Sequence, residues 1–108
     1  MFQLWTQAGD CELEVVRYKR LSPLYPEKDS LAGIHALRPG DCVVAFSRRQ
    51  LYKFKATIER GTEGSLQCAV VYGGLPPAAR REQARNFNEP NGAAQVFIVT
   101  IPESCMCH

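Results

Sequence analysis

The sequence predicts an α/β domain in which a parallel sheet, with a βαβαβ core, is flanked by helices. Three apolar runs, at residues 42–46, 67–72 and 95–100, have the composition of strands buried on both faces of a sheet. The two segments between them repeat apolar residues at helical spacing. Each strand–helix–strand stretch has the size of a βαβ unit, roughly thirty residues, and such units make right-handed crossovers between parallel strands.

The first helix is predicted over residues 48–60 from its periodicity and its ends. Ser47 and Gln50 have the spacing of a capping box, and Gly61 supplies a stop signal. The apolar face of this helix is expected to consist of Leu51, Phe54 and Ile58.

The second helix is predicted over residues 77–88, after a loop that ends in prolines suited to a helix start. Ala84 and Phe87 are expected to face the core. The strand that follows ends at Thr100, and we expect it to lie at a bare edge of the sheet, without the neighbours that would cover it. The domain therefore looks cut short.

The first forty residues differ from this regular pattern. Residues 12–19 are rich in Val and Tyr and predict a strand, and residues 28–37 have the spacing of a short helix. We expect three parts: a leading strand and connecting segment at 1–40, the α/β core at 41–100, and a tail at 101–108.

Composition narrows the possible classes of protein. The chain has 108 residues, 45% hydrophobic and 22% charged, with a net charge of +2, which is typical of one soluble domain and not of a histone-like binder. It has neither an apolar run of the roughly 20 residues that cross a bilayer nor a secretory leader, so no membrane is expected.

The five cysteines indicate reduced, intracellular thiols. Cys42 and Cys68 are predicted to be buried and inert because they begin apolar runs. Cys105, Cys107 and His108 crowd one end of the chain, and we assign no metal to them.

Candidate binding residues follow the predicted strands, where ligands of parallel α/β sheets bind. Arginines in the first turn of a helix oppose the helix dipole, and a phosphate at the free N–H groups would resolve that conflict. A solvated surface explains the arginines equally well. Tyr72 is either a core aromatic or a base-stacking platform. The candidates are Ser47, Arg48, Arg49, Gly73, Gly74, Arg80, Arg81 and Thr100.

Catalytic motifs are missing from the sequence. It has neither a G-x-x-x-x-G-K-S/T phosphate loop nor a G-x-G-x-x-G turn, and its histidines, His35 and His108, have no evident catalytic partners. No catalytic residue is therefore assigned.

Three blocks, in order, carry a resemblance to a known family. The segment LRPGDCVVAFS at 37–47 resembles the start of the second RecA-like domain of the mitochondrial RNA-degradosome helicases of the Suv-three type. The segment AVVYGGLPP at 69–77 is similar to the next block, continued by Arg80, Gln83, Ala84, Phe87 and Asn88. Residues 9–24 are similar to the segment leading into that domain.

The resemblance implies a truncated RecA-like fold and a role in an ATP-dependent RNA helicase of superfamily two. Residues 46–48 correspond to motif IV, the loop from Gly73 to Arg80 is implied to face the RNA backbone, and Thr100 matches the threonine that opens motif V. In the family, ATP and Mg²⁺ bind between two RecA-like domains. The implied partners are single-stranded RNA, a first RecA-like domain and an exoribonuclease, and the implied location is the mitochondrion.

After Thr100 the sequence departs from the family pattern, and the later motif with the arginine finger is absent. We therefore expect this chain to be inactive alone. The leading hypothesis is a helicase fragment that contributes RNA-backbone contacts. The alternatives are a non-catalytic α/β nucleic-acid-binding or interaction module and, more remotely, a small nucleotide- or phosphosugar-binding enzyme of flavodoxin-like topology.

Overall fold

The computed structural model describes residues 2–8, 12–21, 37–100 and 104–107. The predicted helix at 28–37 lies, except for its last residue, outside these described residues. The strands are β1 Phe2–Ala8, β2 Glu12–Tyr18, β3 Arg20–Leu21, β4 Asp41–Ala45, β5 Cys68–Val71, β6 Val96–Thr100 and β7 Ser104–Cys107. The helices are α1 Arg48–Gly61 and α2 Pro77–Asn88.

The strands form two sheets. A four-stranded parallel sheet has the order β3-β4-β6-β5, and a three-stranded antiparallel sheet has the order β2-β1-β7. The predicted α/β class and the alternation of β4, α1, β5, α2 and β6 are confirmed, with strand bounds that differ from the prediction by one residue. The sequence pattern did not indicate β1 or β7.

The position predicted for the last core strand was wrong. β6 is not a bare edge strand, because it pairs with β4 on one side and with β5 on the other. The crossover through α1 moves two positions along the sheet, and the crossover through α2 moves one position back. The repeating βαβ pattern is the same for either order, so periodicity alone did not distinguish them.

The two crossovers place the helices on opposite faces of the sheet. Right-handed crossovers that run in opposite directions along a sheet must lie on opposite sides of it. Strand residues accordingly alternate between two apolar clusters. The α1 cluster includes Val43, Ala45, Cys68, Val70, Val96 and Ile98, and the α2 cluster includes Cys42, Ala69, Val71, Phe97 and Val99.

Both helices bury the faces that their sequences predict. Leu51, Phe54 and Ile58 of α1 are 0% exposed, and Ala84 and Phe87 of α2 are buried on the other face. Val16 and Tyr18 of β2 are buried in the same cluster as α2. The antiparallel sheet therefore joins the core through the end of β2.

The edge strand β5 is protected by side chains from both helices. Its outward N–H groups at Cys68 and Val70 donate to Glu59 Oε2 at 3.0 Å and to Gln83 Oε1 at 3.0 Å. Glu59 lies on α1 and Gln83 on α2, so one side-chain acceptor comes from each face of the sheet. These bonds satisfy backbone groups that would otherwise be open to another strand.

The end of α1 differs from its prediction. Gly61 is the last helical residue, and Thr62 is the C-cap: its N–H donates to the Ile58 carbonyl at 3.0 Å, and the N–H of Glu63 donates to the Arg60 carbonyl at 3.2 Å. The chain reverses at Glu63 and Gly64, whose φ angles are 54° and 81°. The glycine that makes the turn is therefore Gly64, which needs the left-handed conformation.

Cys42 and Cys68 are buried free thiols, as predicted. Burial raises the pKa of each thiol to about 12, with smaller contributions from Asp41 at Cys42 and from Glu59 at Cys68. Neither helix among the described residues is long and apolar enough to cross a membrane.

Candidate nucleic-acid interface

The carboxyl ends of the three core strands meet at one edge of the sheet. Ala45 at the end of β4 is paired with Thr100 at the end of β6, and Val71 at the end of β5 is paired with Val99. The chain leaves β4 directly into α1 and leaves β5 into the glycine loop at residues 73–74. This edge therefore brings together the segments that hold the predicted site residues.

The start of α1 has the expected cap. The Ser47 hydroxyl accepts a hydrogen bond of 3.1 Å from Gln50 N, and Gln50 Oε1 accepts one of 2.8 Å from Phe46 N. The first turn contains no acidic residue, and Arg48 and Arg49 are exposed. An open depression of about 610 Å³ beside this turn is lined by Ser47, Arg49, Gln50 and Lys53.

Arg48 lies against the second segment of the edge. Its guanidinium carbon is 4.4 Å from the centroid of the Tyr72 ring, and its Nη2 is 3.5 Å from the Tyr72 hydroxyl. The ring of Tyr52 is 5.6 Å from that of Tyr72, tilted by 58°. A hydrogen bond to Tyr72 is the main cause that raises the pKa of Tyr52 above its ordinary value, and the Arg48 charge partly opposes the shift.

The glycine loop is open to solvent. Gly73 and Gly74 are exposed, and Gly74 has a φ of +89°. A Cβ added at Gly74 would meet no atom within 4 Å. A ligand could approach this backbone closely, and the left-handed conformation explains the glycine.

Arg80 is inside the loop and not on its surface. It is 5% exposed, its Nε donates to the Leu75 carbonyl at 3.0 Å, and its Nη2 donates to the Tyr72 carbonyl at 2.9 Å. Thr100 is also 5% exposed. The structure therefore brings Ser47, Arg48 and Arg49 to the surface beside the two glycines, with Arg81 exposed on α2, and buries Arg80 and Thr100 beneath them.

Sequence reasoning missed two exposed aromatics at this edge. Phe46 was assigned to the core strand, but it follows the end of β4 and is 58% exposed. Tyr52 is 42% exposed. The helical period could have indicated Tyr52, because it lies one turn after Arg48 and off the buried face of α1.

Within the described ranges, no three Cys, His, Asp or Glu side chains come together in a way that could hold a metal ion. The buried acid Asp41 begins β4, at the edge opposite the candidate interface, and accepts a hydrogen bond of 3.0 Å from Arg38 N.

Known proteins with related sequences decide the family. The chain is 44% identical over 90 residues to the mitochondrial ATP-dependent RNA helicase SUPV3L1 of Gallus gallus, a match that covers 82% of this chain and 11% of that protein. It is 44% identical over 92 residues to the mitochondrial helicase DExH16 of Arabidopsis thaliana, covering 85% of this chain and 16% of that protein. The chain belongs to the Suv3 family.

Membership of the Suv3 family confirms the resemblance of the three sequence blocks. The same relationship is found with ATP-dependent RNA helicase SUV3 of Oryza sativa, at 46% identity over 83 residues, 77% of this chain and 14% of that protein. The chain thus spans between 11% and 16% of the length of these Suv3 relatives. No family profile matches the chain, and no solved structure matches it.

Proposed function

We propose that residues 41–100 are part of the second RecA-like domain of an ATP-dependent RNA helicase of mitochondrial RNA turnover, and that they contact the RNA backbone. Residues 1–40 would lead into this domain, and residues 101–108 would form a divergent tail. The observation that carries the proposal is the edge where the first turn of α1, with two exposed arginines and no acid, meets the glycine loop, in a chain of the Suv3 family.

Phosphate is the ligand that this edge suits best. The first turn of α1 has free N–H groups, two exposed arginines and no acid to balance the positive end of the helix dipole. An RNA phosphate beside Ser47 and Arg49 would receive both N–H and guanidinium bonds. The open backbone at Gly73 and Gly74 would let a neighbouring phosphate approach closely. Arg81 would add charge, and Arg80 and Thr100 would support the loop and the strand end from beneath.

The nucleotide chemistry would then lie elsewhere. ATP and Mg²⁺ would be held by a first RecA-like domain, which would supply the phosphate loop that this sequence lacks. That domain is the first expected partner, single-stranded RNA is the second, and an exoribonuclease is the third. The mitochondrial names of the relatives support the same location for this chain.

The salt dependence of RNA binding tests the proposal. The 108-residue chain should bind single-stranded RNA weakly, with little sequence preference, and log K should fall by about 0.7 per phosphate contact for each log unit of salt. Replacing Arg49 and Arg81 by Ala should flatten this slope by roughly one to two units. The control replaces Arg60 and Arg85, which lie in the last turns of α1 and α2. Equal losses in both double variants would show that the arginines are an ordinary solvated face.

A second candidate is a non-catalytic nucleic-acid-binding module, which would use the same exposed arginines and glycine loop. The two functions differ in what the chain does with a partner. As part of a helicase, it should restore RNA-stimulated ATP hydrolysis to a Suv3-family protein from which the equivalent segment has been removed. The chain alone should hydrolyse no ATP in either case. Failure to restore hydrolysis, with RNA binding intact, would favour the binding module.

A further inference from the structure

Arg48, Tyr52 and Tyr72 form a contiguous cluster of one guanidinium and two aromatic rings at the edge of the candidate interface. The Arg48 guanidinium lies over the Tyr72 ring, and the Tyr52 ring adjoins it from one helical turn away. Tyr72 is 9% exposed, whereas Tyr52 is 42% exposed and Arg48 is open to solvent. The cluster thus has a buried floor and an exposed rim.

The floor of the cluster is fixed from below. Arg80 holds the Tyr72 carbonyl at 2.9 Å, and Leu75 N donates to the same carbonyl at 3.2 Å. The Tyr72 ring then fixes Arg48 through the cation–π contact. An exposed arginine normally loses much rotamer freedom when it binds a ligand, and here part of that loss has occurred before any ligand arrives.

The guanidinium carbon of Arg48 lies over the Tyr72 ring and the side chain is exposed, so the side of the guanidinium away from the ring is open to a second planar group. Unpaired nucleobases stack on arginine planes and on aromatic rings, and this contact does not depend on which base is present. The neighbouring exposed ring of Tyr52 widens the platform. A phosphate needs no flat surface and no aromatic floor, so the cluster suits a base better than it suits a phosphate.

We propose that Arg48, Tyr52 and Tyr72 form a stacking platform for one unpaired base of single-stranded RNA. This inference rests on the proposed function, because the base belongs to the strand whose phosphates would contact the start of α1. The two adjacent arginines would then contact different parts of the RNA: Arg49 binds a phosphate, and Arg48 stacks on a base. Arg80 is a positioning residue, which acts through Tyr72.

The first test separates the contribution of the Arg48 charge to RNA affinity from that of its planar guanidinium. Arg48→Lys keeps the charge and removes the plane, so affinity for a short single-stranded RNA should fall roughly tenfold while the salt slope stays unchanged. Arg60→Lys is the matched control, because Arg60 is an exposed arginine in the last turn of α1, away from the candidate interface, and this variant should bind RNA as the parent does. Circular dichroism and the thermal midpoint show whether each variant is folded as the parent is.

The RNA supplies the second comparison. An oligonucleotide with a single abasic position, placed at each site in turn, should bind the parent roughly tenfold more weakly at one position and should bind Arg48→Lys with no further loss. The platform is wrong, and the phosphate site stands, if two results hold together. Arg48→Lys binds the unmodified RNA as tightly as the parent does, and the parent binds every abasic RNA as tightly as the unmodified one. If the folded parent binds no RNA at any salt, the proposed function fails and the platform fails with it.

Discussion

The Nη2 atom of Arg80, in the first turn of α2, donates a hydrogen bond of 2.9 Å to the carbonyl oxygen of Tyr72, at the start of the loop that joins β5 to α2. The same guanidinium reaches the Leu75 carbonyl through Nε. A charged side chain thus holds both ends of a loop that presents its glycines to solvent. The first predictions concern this support.

Arg80→Ala should lower the free energy of unfolding by about 2–4 kcal/mol, because it leaves buried carbonyls without their charged donor. Urea unfolding measures the change. Arg81→Ala is the control, since Arg81 is adjacent on α2 but exposed, and it should cost less than about 0.5 kcal/mol. Similar costs for both variants would contradict the role of Arg80 inside the loop.

The hydrogen bond from Val70 N of the edge strand β5 to Gln83 Oε1 should slow the hydrogen exchange of the Val70 amide. Gln83→Ala removes the acceptor from Val70 N, so the Val70 amide should exchange with solvent faster and the chain should lose about 1 kcal/mol of stability. Hydrogen exchange followed by NMR measures this residue directly. Glu82→Ala, on the exposed side of the same helix, should leave the Val70 exchange rate unchanged.

The buried thiols predict a loss of stability in alkaline solution. The folded-state pKa values of Cys42 and Cys68 are raised to about 12 from an ordinary value of 9.0. The unfolded chain therefore releases these protons at lower pH than the folded chain does. Stability is fully present below pH 9 and is lost as pH rises towards 12.

Between pH 8 and pH 11, the urea concentration at the unfolding midpoint should fall as the two thiols of the unfolded chain ionise. Cys42→Ala with Cys68→Ala should lower the midpoint throughout but make its fall with pH shallower. A parallel fall in the parent and the double variant would assign the alkaline loss to other groups.

Gly92 should tolerate substitution less well than Gly74, although only Gly74 has a positive φ. A Cβ at Gly92 would lie 2.0 Å from the Asn86 carbonyl oxygen, so the turn after α2 would have to move. Gly74→Ala meets no atom and should cost only the backbone strain of about 1 kcal/mol. Thermal unfolding compares them, and a smaller cost at Gly92 would contradict the close approach.

The strands and helices of the core could be predicted from the sequence pattern, but the order of the strands in the sheet could not. Continuous apolar runs and the spacing of Leu51, Phe54 and Ile58 are local signals, and they identified the core strands and both helices. Strand order depends on tertiary packing, so the central position of β6 was missed. β7 was missed because its partner, β1, lies nearly the whole chain away, and β1 was missed although it also pairs with the adjacent β2.

In the candidate site, too, the feature set by near neighbours in the sequence was predicted, and the features set by tertiary structure were missed. Ser47 was recognised because a cap is defined by a neighbour three residues away. Arg80 was placed at the surface because arginine is usually exposed, and its burial depends on carbonyls that only the folded loop brings within reach. The exposure of Phe46 depends in turn on where β4 ends.

The interleaved order of the parallel sheet also affects how the chain can acquire its structure during synthesis. β5 pairs only with β6 among the described strands, so its inner backbone groups have no partner until the ribosome has released residues 96–100. Up to that moment α1 and β5 can associate only through apolar side chains and the hydrogen bond from Cys68 N to Glu59. A nascent chain arrested after α2 should therefore be sensitive to protease throughout, and one arrested well beyond Thr100 should become resistant in a single step.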